Sequence, residues 1–289
     1  MRFNIRFTKK AANPVTSEAG TALPAQCFCD TLQCISIIGA RSMYSWNTIR
    51  TVCAVLLLIP VIHLVYLVSR DTLAAMDTSP QAWAKEVSEF TAFDQSRSLP
   101  VDPIVVVGGR GVKLWRGLED LLAPREVLMR GLGDATINDI THYHSQLISF
   151  YRPSAVVVLP GNSEFHVRDN KSAEELVAAI RELVELDQGL QAERQFYVFA
   201  PIRTPLYPSD YPKIEETTRL LERWAGSEPG VTFLDANPLL SLRSGAPNPD
   251  FYRGDGVNLN EHGYLRLSLI LERQLKQDEA LSNMQDAPL

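Results

Sequence analysis

The stretch Ile104-Val-Val-Val-Gly108-Gly-Arg110-Gly-Val-Lys-Leu-Trp115 decides how the rest of the chain is read. Its apolar run shows no alternation with polar residues. That pattern predicts a strand covered on both faces, as in a parallel sheet packed between helices. The run ends in a glycine-rich turn, and an amphipathic helical pattern begins at Val112. Strand, turn and helix thus follow one another directly, and a cation, Arg110, sits in the turn.

The same alternation continues outward. Upstream, Ser79 and Pro80 read as an N-cap and first-turn pair, opening a helix to about Phe93 with Trp83, Val87 and Phe90 at helical spacing. Downstream, Val112 to Leu122 is expected to be helix, Glu126–Met129 strand, and Thr136 to Tyr151 helix up to Pro153. Ala155–Leu159 (AVVVL) is a second buried strand. Ser172 with Glu175 forms a capping box for a helix to about Leu186. Gln195–Ala200 and Val231–Leu234 are strands, Lys213 to Ala225 is helix, and Asn260 caps a last helix from Glu261 to about Lys276. The expected fold is a three-layer α/β/α sandwich with a mainly parallel, flavodoxin-like sheet over residues 79–277. In such sheets ligands bind beyond the carboxyl ends of the strands. The turns after Val107, Met129 and Leu159 and the loop before Asn260 should therefore share one rim.

Residues 51–69 read differently. Thr51 to Ser69 contains no charged residue and is bracketed by Arg50 and Arg70. At about 1.5 Å per residue it spans roughly the ~30 Å hydrocarbon layer. It reads as one transmembrane helix that tolerates Pro60, with His63 facing a helix partner or the interface rather than a metal. An uncleaved anchor is expected; a cleaved signal peptide, with Leu73-Ala-Ala75 as a poor cleavage site, is the alternative. Arg2, Arg6, Lys9, Lys10, Arg41 and Arg50 precede the span. Their excess puts the N-terminus in the cytoplasm and the large domain outside. Residues 1–42 show no sustained periodicity, residues 1–50 are expected to form a poorly ordered N-terminal segment, and Met43 is a second candidate start; residues 278–289 read as a polar tail.

Composition narrows the function classes. The net charge of −6 over 289 residues lacks the basic footprint of a nucleic-acid binder. All four cysteines (27, 29, 34, 53) lie in or before the apolar span, so the large domain needs no disulfide. Cys27, Cys29 and Cys34 have no accompanying histidine, and no metal is expected. Gly108-Gly-Arg-Gly111 lacks the third glycine and the acidic residue of a dinucleotide fingerprint, so no cofactor is expected either. His142 and His144, two apart, point to different helix faces and are read as surface or rim residues. His166 reads as a plain loop histidine, with a place on the rim as the alternative, Trp115 and Trp224 as core, and Pro201 to Pro212 as an irregular loop beyond a strand end that either shapes the pocket or docks a partner.

Four blocks, in order, resemble the GDSL/SGNH ester hydrolases from about Trp83 to Leu275. The first, Gly108-Gly-Arg-Gly-Val-Lys-Leu-Trp115, is similar to a branch reading approximately G-S-S-S-I-R-L-W, with a lead-in helix carrying Trp83, Phe90 and Asp94. The others are Arg130-Gly-Leu-Gly-Asp-Ala-Thr136, Pro160-Gly-Asn-Ser-Glu164, and Asp255-Gly-Val-Asn258-Leu-Asn260-Glu-His-Gly-Tyr264, the last resembling D-G-x-H-L-N-x-x-G-Y. The resemblance implies a serine nucleophile, a histidine base oriented by an aspartate, and an oxyanion hole from a glycine N–H and an asparagine. Here the nucleophile position is Arg110 and the base position is Asn258. The oxyanion asparagine position is Ser163, followed by Glu164; the glycine position is Gly133 or Asp134. Only Asp255 matches.

Gly109, Arg110, Gly133, Asp134, Asn162, Glu164 and His262 are the expected binding residues around the vacated site. Asn162 is a displaced oxyanion donor candidate, His262 a displaced base and Ser163 a displaced nucleophile. For Arg110 two outcomes stand open. A free guanidinium at a strand end would bind an anion such as a sugar acid; alternatively, Arg110 pairs with Asp134, Glu164 or Asp255 and fills the site. The expected protein is a catalytically degenerate domain binding a partner or an anionic, carbohydrate or acyl ligand, with an esterase of unorthodox residues as the alternative. No protein partner is specified by the sequence.

Overall fold

A computed structural model describes residues 45–75, 79–166, 168–190 and 194–285. The chain divides into two units, residues 1–64 and 65–289. The apolar helix α1 runs from Trp46 to Ala75, longer than expected at both ends and continuous through Pro60. Within Trp46–Ser69 the most apolar 18 residues have a mean hydropathy of 2.6 and none of them is buried, so the helix is long and apolar enough to cross a membrane.

In the large domain five parallel strands take the order β2-β1-β3-β4-β5: β1 Ile104–Gly108, β2 Val127–Gly131, β3 Ala155–Leu159, β4 Gln195–Phe199 and β5 Val231–Leu234. Gly108 is in register with both Gly131 and Leu159, so three strands end level. The apolar runs of β1 and β3 are buried on both sides, as their lack of alternation requires. Alternate residues feed two cores. Val105, Val107, Val156 and Val158 pack under α2 (Ala84–Gln95), α5 (Ile137–His142), α6 (His144–Leu147), α7 (Ala173–Gln188) and α8 (Tyr211–Ala225). Ile104, Val106 and Val157 pack under α3 (Arg110–Leu114), α4 (Leu118–Leu122), α9 (Asn237–Leu240) and α10 (Glu261–Gln285). This is the expected three-layer α/β/α sandwich.

Several elements differ from the sequence pattern, each for a tertiary reason. Ser79 makes no side-chain cap; it precedes a short 3-10 turn, Pro80–Trp83, before α2. The helix expected over Val112–Leu122 breaks into α3 and α4 at Gly117, where φ is +81°. The break turns Trp115 inward, its Nε1 donating to Ser268 Oγ at 2.9 Å and its ring stacking on Tyr264. The helix expected over 136–151 is also broken, because His144 is buried against Asp187 (2.7 Å) instead of lying on the surface. Strand β2 runs on through Arg130, a charge that alternation would exclude, because Asp94 and Tyr151 receive its guanidinium inside the fold. Helix α10 continues to Gln285, since Asp278 accepts from the Tyr197 hydroxyl and Glu279 pairs with Arg125. The Ser172–Glu175 capping box forms as read, as does the Asn260 cap, which accepts from the Gly263 amide.

Gly108 is needed where β1 enters the turn. Its φ is +155°, and a Cβ there would lie 2.3 Å from the Leu159 carbonyl oxygen of the neighbouring strand. The glycine thus lets β1 and β3 end side by side. In the order 2-1-3-4-5, the chain leaves β1 and β3 toward opposite faces, opening a crevice between their carboxyl ends.

Candidate functional site

That crevice holds an open cavity of about 280 Å³. The turn after β1 contributes Arg110 and Gly111, and the turn after β2 contributes Asp134. The segment after β3 contributes Asn162, Ser163 and His166; the loop after β4 contributes Ile202, Leu206 and Tyr207; the loop before α10 contributes Asp255, Val257 and Asn258. The rim expected from the sequence is therefore one site, enlarged by the Pro201–Pro212 loop.

Arg110 is the first residue of α3. Its guanidinium grips Asp134 in a fork, Nε to Oδ1 at 2.7 Å and Nη2 to Oδ2 at 2.5 Å. The side chains remain 53% and 38% exposed, so the pair forms part of the wall and leaves the cavity open. The hydrogen bond that Arg110 donates to Asp134 raises the arginine pKa above its ordinary value, outweighing a loss from burial. The two outcomes expected for Arg110 are thus mixed: the cation is paired, yet the site is not plugged.

Asp255 is held by its own loop. Oδ1 accepts the amides of Val257 and Asn258, both at 2.9 Å, and Oδ2 accepts Asn258 Nδ2 at 2.7 Å. Partial burial pushes its carboxyl pKa up, but the Asn258 side chain and the two amides together hold it below the ordinary value. Asn258 is thus hydrogen-bonded to Asp255 through both its backbone and its side chain, and an amide cannot take up a proton at neutral pH.

The remaining positions divide. Ser163 is buried and its hydroxyl donates to the Ala135 carbonyl at 3.1 Å. Among the described residues the Asn162 side-chain amide has no hydrogen-bond partner, so it is available to a ligand. Glu164 is fully buried beneath the rim, accepting from the Ile137 amide at 2.6 Å and from Lys171 Nζ at 2.8 Å. It is a structural anchor and not a cavity residue. Gly109 and Gly133 do not line the cavity either: a side chain at Gly109 would meet the Ala135 carbonyl at 2.7 Å, and one at Gly133 the Trp83 ring at 2.5 Å. His262, the displaced base candidate, is exposed on the first turn of α10 and is not among the residues that line this cavity.

His166, read from the sequence as a plain loop residue, lines the cavity. Its Nε2 lies 2.6 Å from Oδ2 of Asp210, which is buried at the start of α8. The Tyr207 ring covers the imidazole at 4.2 Å between centroids. No local pattern marks this contact, because the two residues are brought together by neighbouring strand ends. Among the described residues no three His, Cys, Asp or Glu side chains are placed to hold a metal ion. Cys27, Cys29 and Cys34 lie outside the described residues.

The sheet order and the two cores give the domain an α/β fold like that of SGNH/GDSL hydrolases. Solved structures with the same fold include a protein from Streptococcus pneumonia designated a platelet activating factor. It is 15% identical, covering 74% of this chain and 99% of that one, with a TM-score of 0.60. A protein from Bacteroides fragilis designated an acylhydrolase is 18% identical, covering 70% and 98%, with a TM-score of 0.57. A GDSL-like lipase from Bacteroides thetaiotaomicron is 16% identical, covering 66% and 98%, with a TM-score of 0.57. At these identities the likeness is one of fold. No family model and no curated protein matches the sequence.

Proposed function

We propose that the chain is a membrane-anchored SGNH-hydrolase-like protein whose domain has lost ester hydrolysis and binds a ligand in the cavity at the carboxyl edge of its sheet. The observation that carries this reading is the rim itself. Arg110, at the position the sequence resemblance gives to the nucleophile, is paired with Asp134; Asn258, at the position it gives to the base, is bound to Asp255; and the cavity stays open. Loss of single members of such a triad costs about 10⁴–10⁶ in rate where it has been dissected. Two lost members leave no standard mechanism. The purified full-length chain in detergent is expected to hydrolyse p-nitrophenyl acetate no faster than buffer. Saturable turnover abolished by Asp255→Ala would sink the proposal.

One observation favours the esterase alternative. Ser163 and the His166–Asp210 pair line or border the same cavity. It stands second because the Ser163 hydroxyl is spent on a carbonyl and, among the described residues, makes no hydrogen bond to an imidazole. Turnover removed by both Ser163→Ala and His166→Ala would put it first.

The excess of Lys and Arg before α1 supports an anchor with the large domain on the extracytoplasmic side. The chain has no cysteine after Cys53, which makes this testable. With the four native cysteines replaced by serine, a Glu119→Cys chain in intact cells should react with a membrane-impermeant maleimide. Protection until the cells are opened would reverse the orientation.

A further inference from the structure

We infer that Asp134 acts as a built-in anion that fills the Arg110 fork, so that the cavity selects an uncharged ligand over an acidic one. The inference rests on the reading of this cavity as a binding site and names the class of ligand it takes. Arg110 by itself has the makings of an anion receptor: it lies just past a strand end and presents a planar fork of N–H donors. In the folded chain that fork is already satisfied. Both donors of its Nε–Nη2 edge go to the two oxygens of one carboxylate, at 2.7 and 2.5 Å, which is the geometry an incoming carboxylate would use. Asp134 is supplied from the end of β2, the strand beside β1, so it competes at the high effective concentration of a tethered group.

The charges around the cavity point the same way. Arg110 is the only Lys or Arg among the lining residues, and Asp134 cancels it. Asp255 adds a second carboxylate on the wall, held in its ionised form by Asn258 and two backbone amides. Asp210 sits behind His166. An acidic ligand would have either to displace Asp134 or to use the outer Nη1–Nη2 edge of a guanidinium already neutralised, and then face Asp255. What the wall offers instead suits an uncharged body: the side-chain amide of Asn162, without a partner among the described residues, the Tyr207 ring, and the apolar side chains of Ile202 and Leu206. At about 280 Å³ the space lies near the low end of the ~300–1,000 Å³ typical of small-molecule pockets. That is room for one small unit, such as a single sugar ring or a short acyl group.

The exposure of the pair argues that Asp134 is not there for stability. Ion pairs this open to solvent contribute little to folding. Removing the aspartate should leave the domain folded and the fork empty. The test uses the full-length chain in a non-ionic detergent, with inorganic phosphate as the probe, read by calorimetry and by the ¹⁵N shift of the Arg110 Nε–H. The unmodified chain is expected to show no saturable phosphate binding. Asp134→Ala, and the isosteric Asp134→Asn as a control for folding, should gain phosphate affinity by about tenfold or more. Adding Arg110→Gln should abolish that gain. Phosphate binding by the unmodified chain as tight as by Asp134→Ala would overturn the inference. So would a folded Asp134→Ala protein, with native-like spectra, that gains nothing. Ester turnover by the unmodified chain bears only on the binding proposal and leaves this result intact.

Discussion

A chain carrying Arg110→Ser, Ser163→Asn and Asn258→His together is expected to acquire ester hydrolysis, at least about 10³-fold above the unmodified protein. The scaffold for it is already built. Asn258 Nδ2 lies 2.7 Å from Asp255 Oδ2, the contact through which an aspartate orients an imidazole. Position 110 begins the helix after β1, at the mouth of the same cavity, and position 163 lines it. Asp134 loses its partner in this variant, but it is partly exposed and stays solvated. The measurement is p-nitrophenyl acetate turnover, with each double variant as a control. An oxyanion donor alone contributes about 10²–10³, and nucleophile and base act as a unit. A folded triple variant with no turnover would mean that the correspondence of these three positions with the hydrolase machinery is wrong.

Asp94→Ala should destabilise the large domain by about 3–5 kcal/mol, the usual loss when one partner of a buried ion pair is removed. Asp94 and Arg130 are 2% and 5% exposed at the side chain, and their contact is 2.8 Å. Arg130 also donates to the Tyr151 hydroxyl at 3.0 Å, and that hydroxyl donates to Asp94. The guanidinium lies between the rings of Phe90 and Tyr151. Truncating Asp94 leaves a cation and a hydroxyl buried without their acceptor. For a domain of this size the loss corresponds to a drop in Tm of roughly 6–20 °C. Thermal unfolding followed by circular dichroism checks it, and a shift under about 2 °C would show the network to be dispensable.

The same network carries a pH signature. Burial first, and then the hydrogen bond to Asp94, push the Tyr151 phenol up to about 12. A group whose folded pKa lies above its unfolded value of about 10 contributes its full stabilisation below that value. The contribution is lost as pH rises toward 12. Ultraviolet difference titration of the chain with and without Tyr151→Phe isolates this tyrosine.

The sequence alone determined the sheet, its covering helices and the edge on which a site would form. The unbroken apolar runs of β1 and β3 and the Ser172–Glu175 cap report each element's own exposure and end, and such local signals survive folding unchanged. Local patterns did not reveal which side chains meet across the crevice. Arg110 and Asp134 are 24 residues apart and pair because β1 and β2 end side by side. His166 reaches Asp210 because the segments after β3 and β4 converge. Arg130 is accepted in a strand only because Asp94, 36 residues earlier, is folded against it. Periodicity records how a segment meets solvent. Charge pairing depends on distances between segments, and those exist only once the sheet has set its order and register.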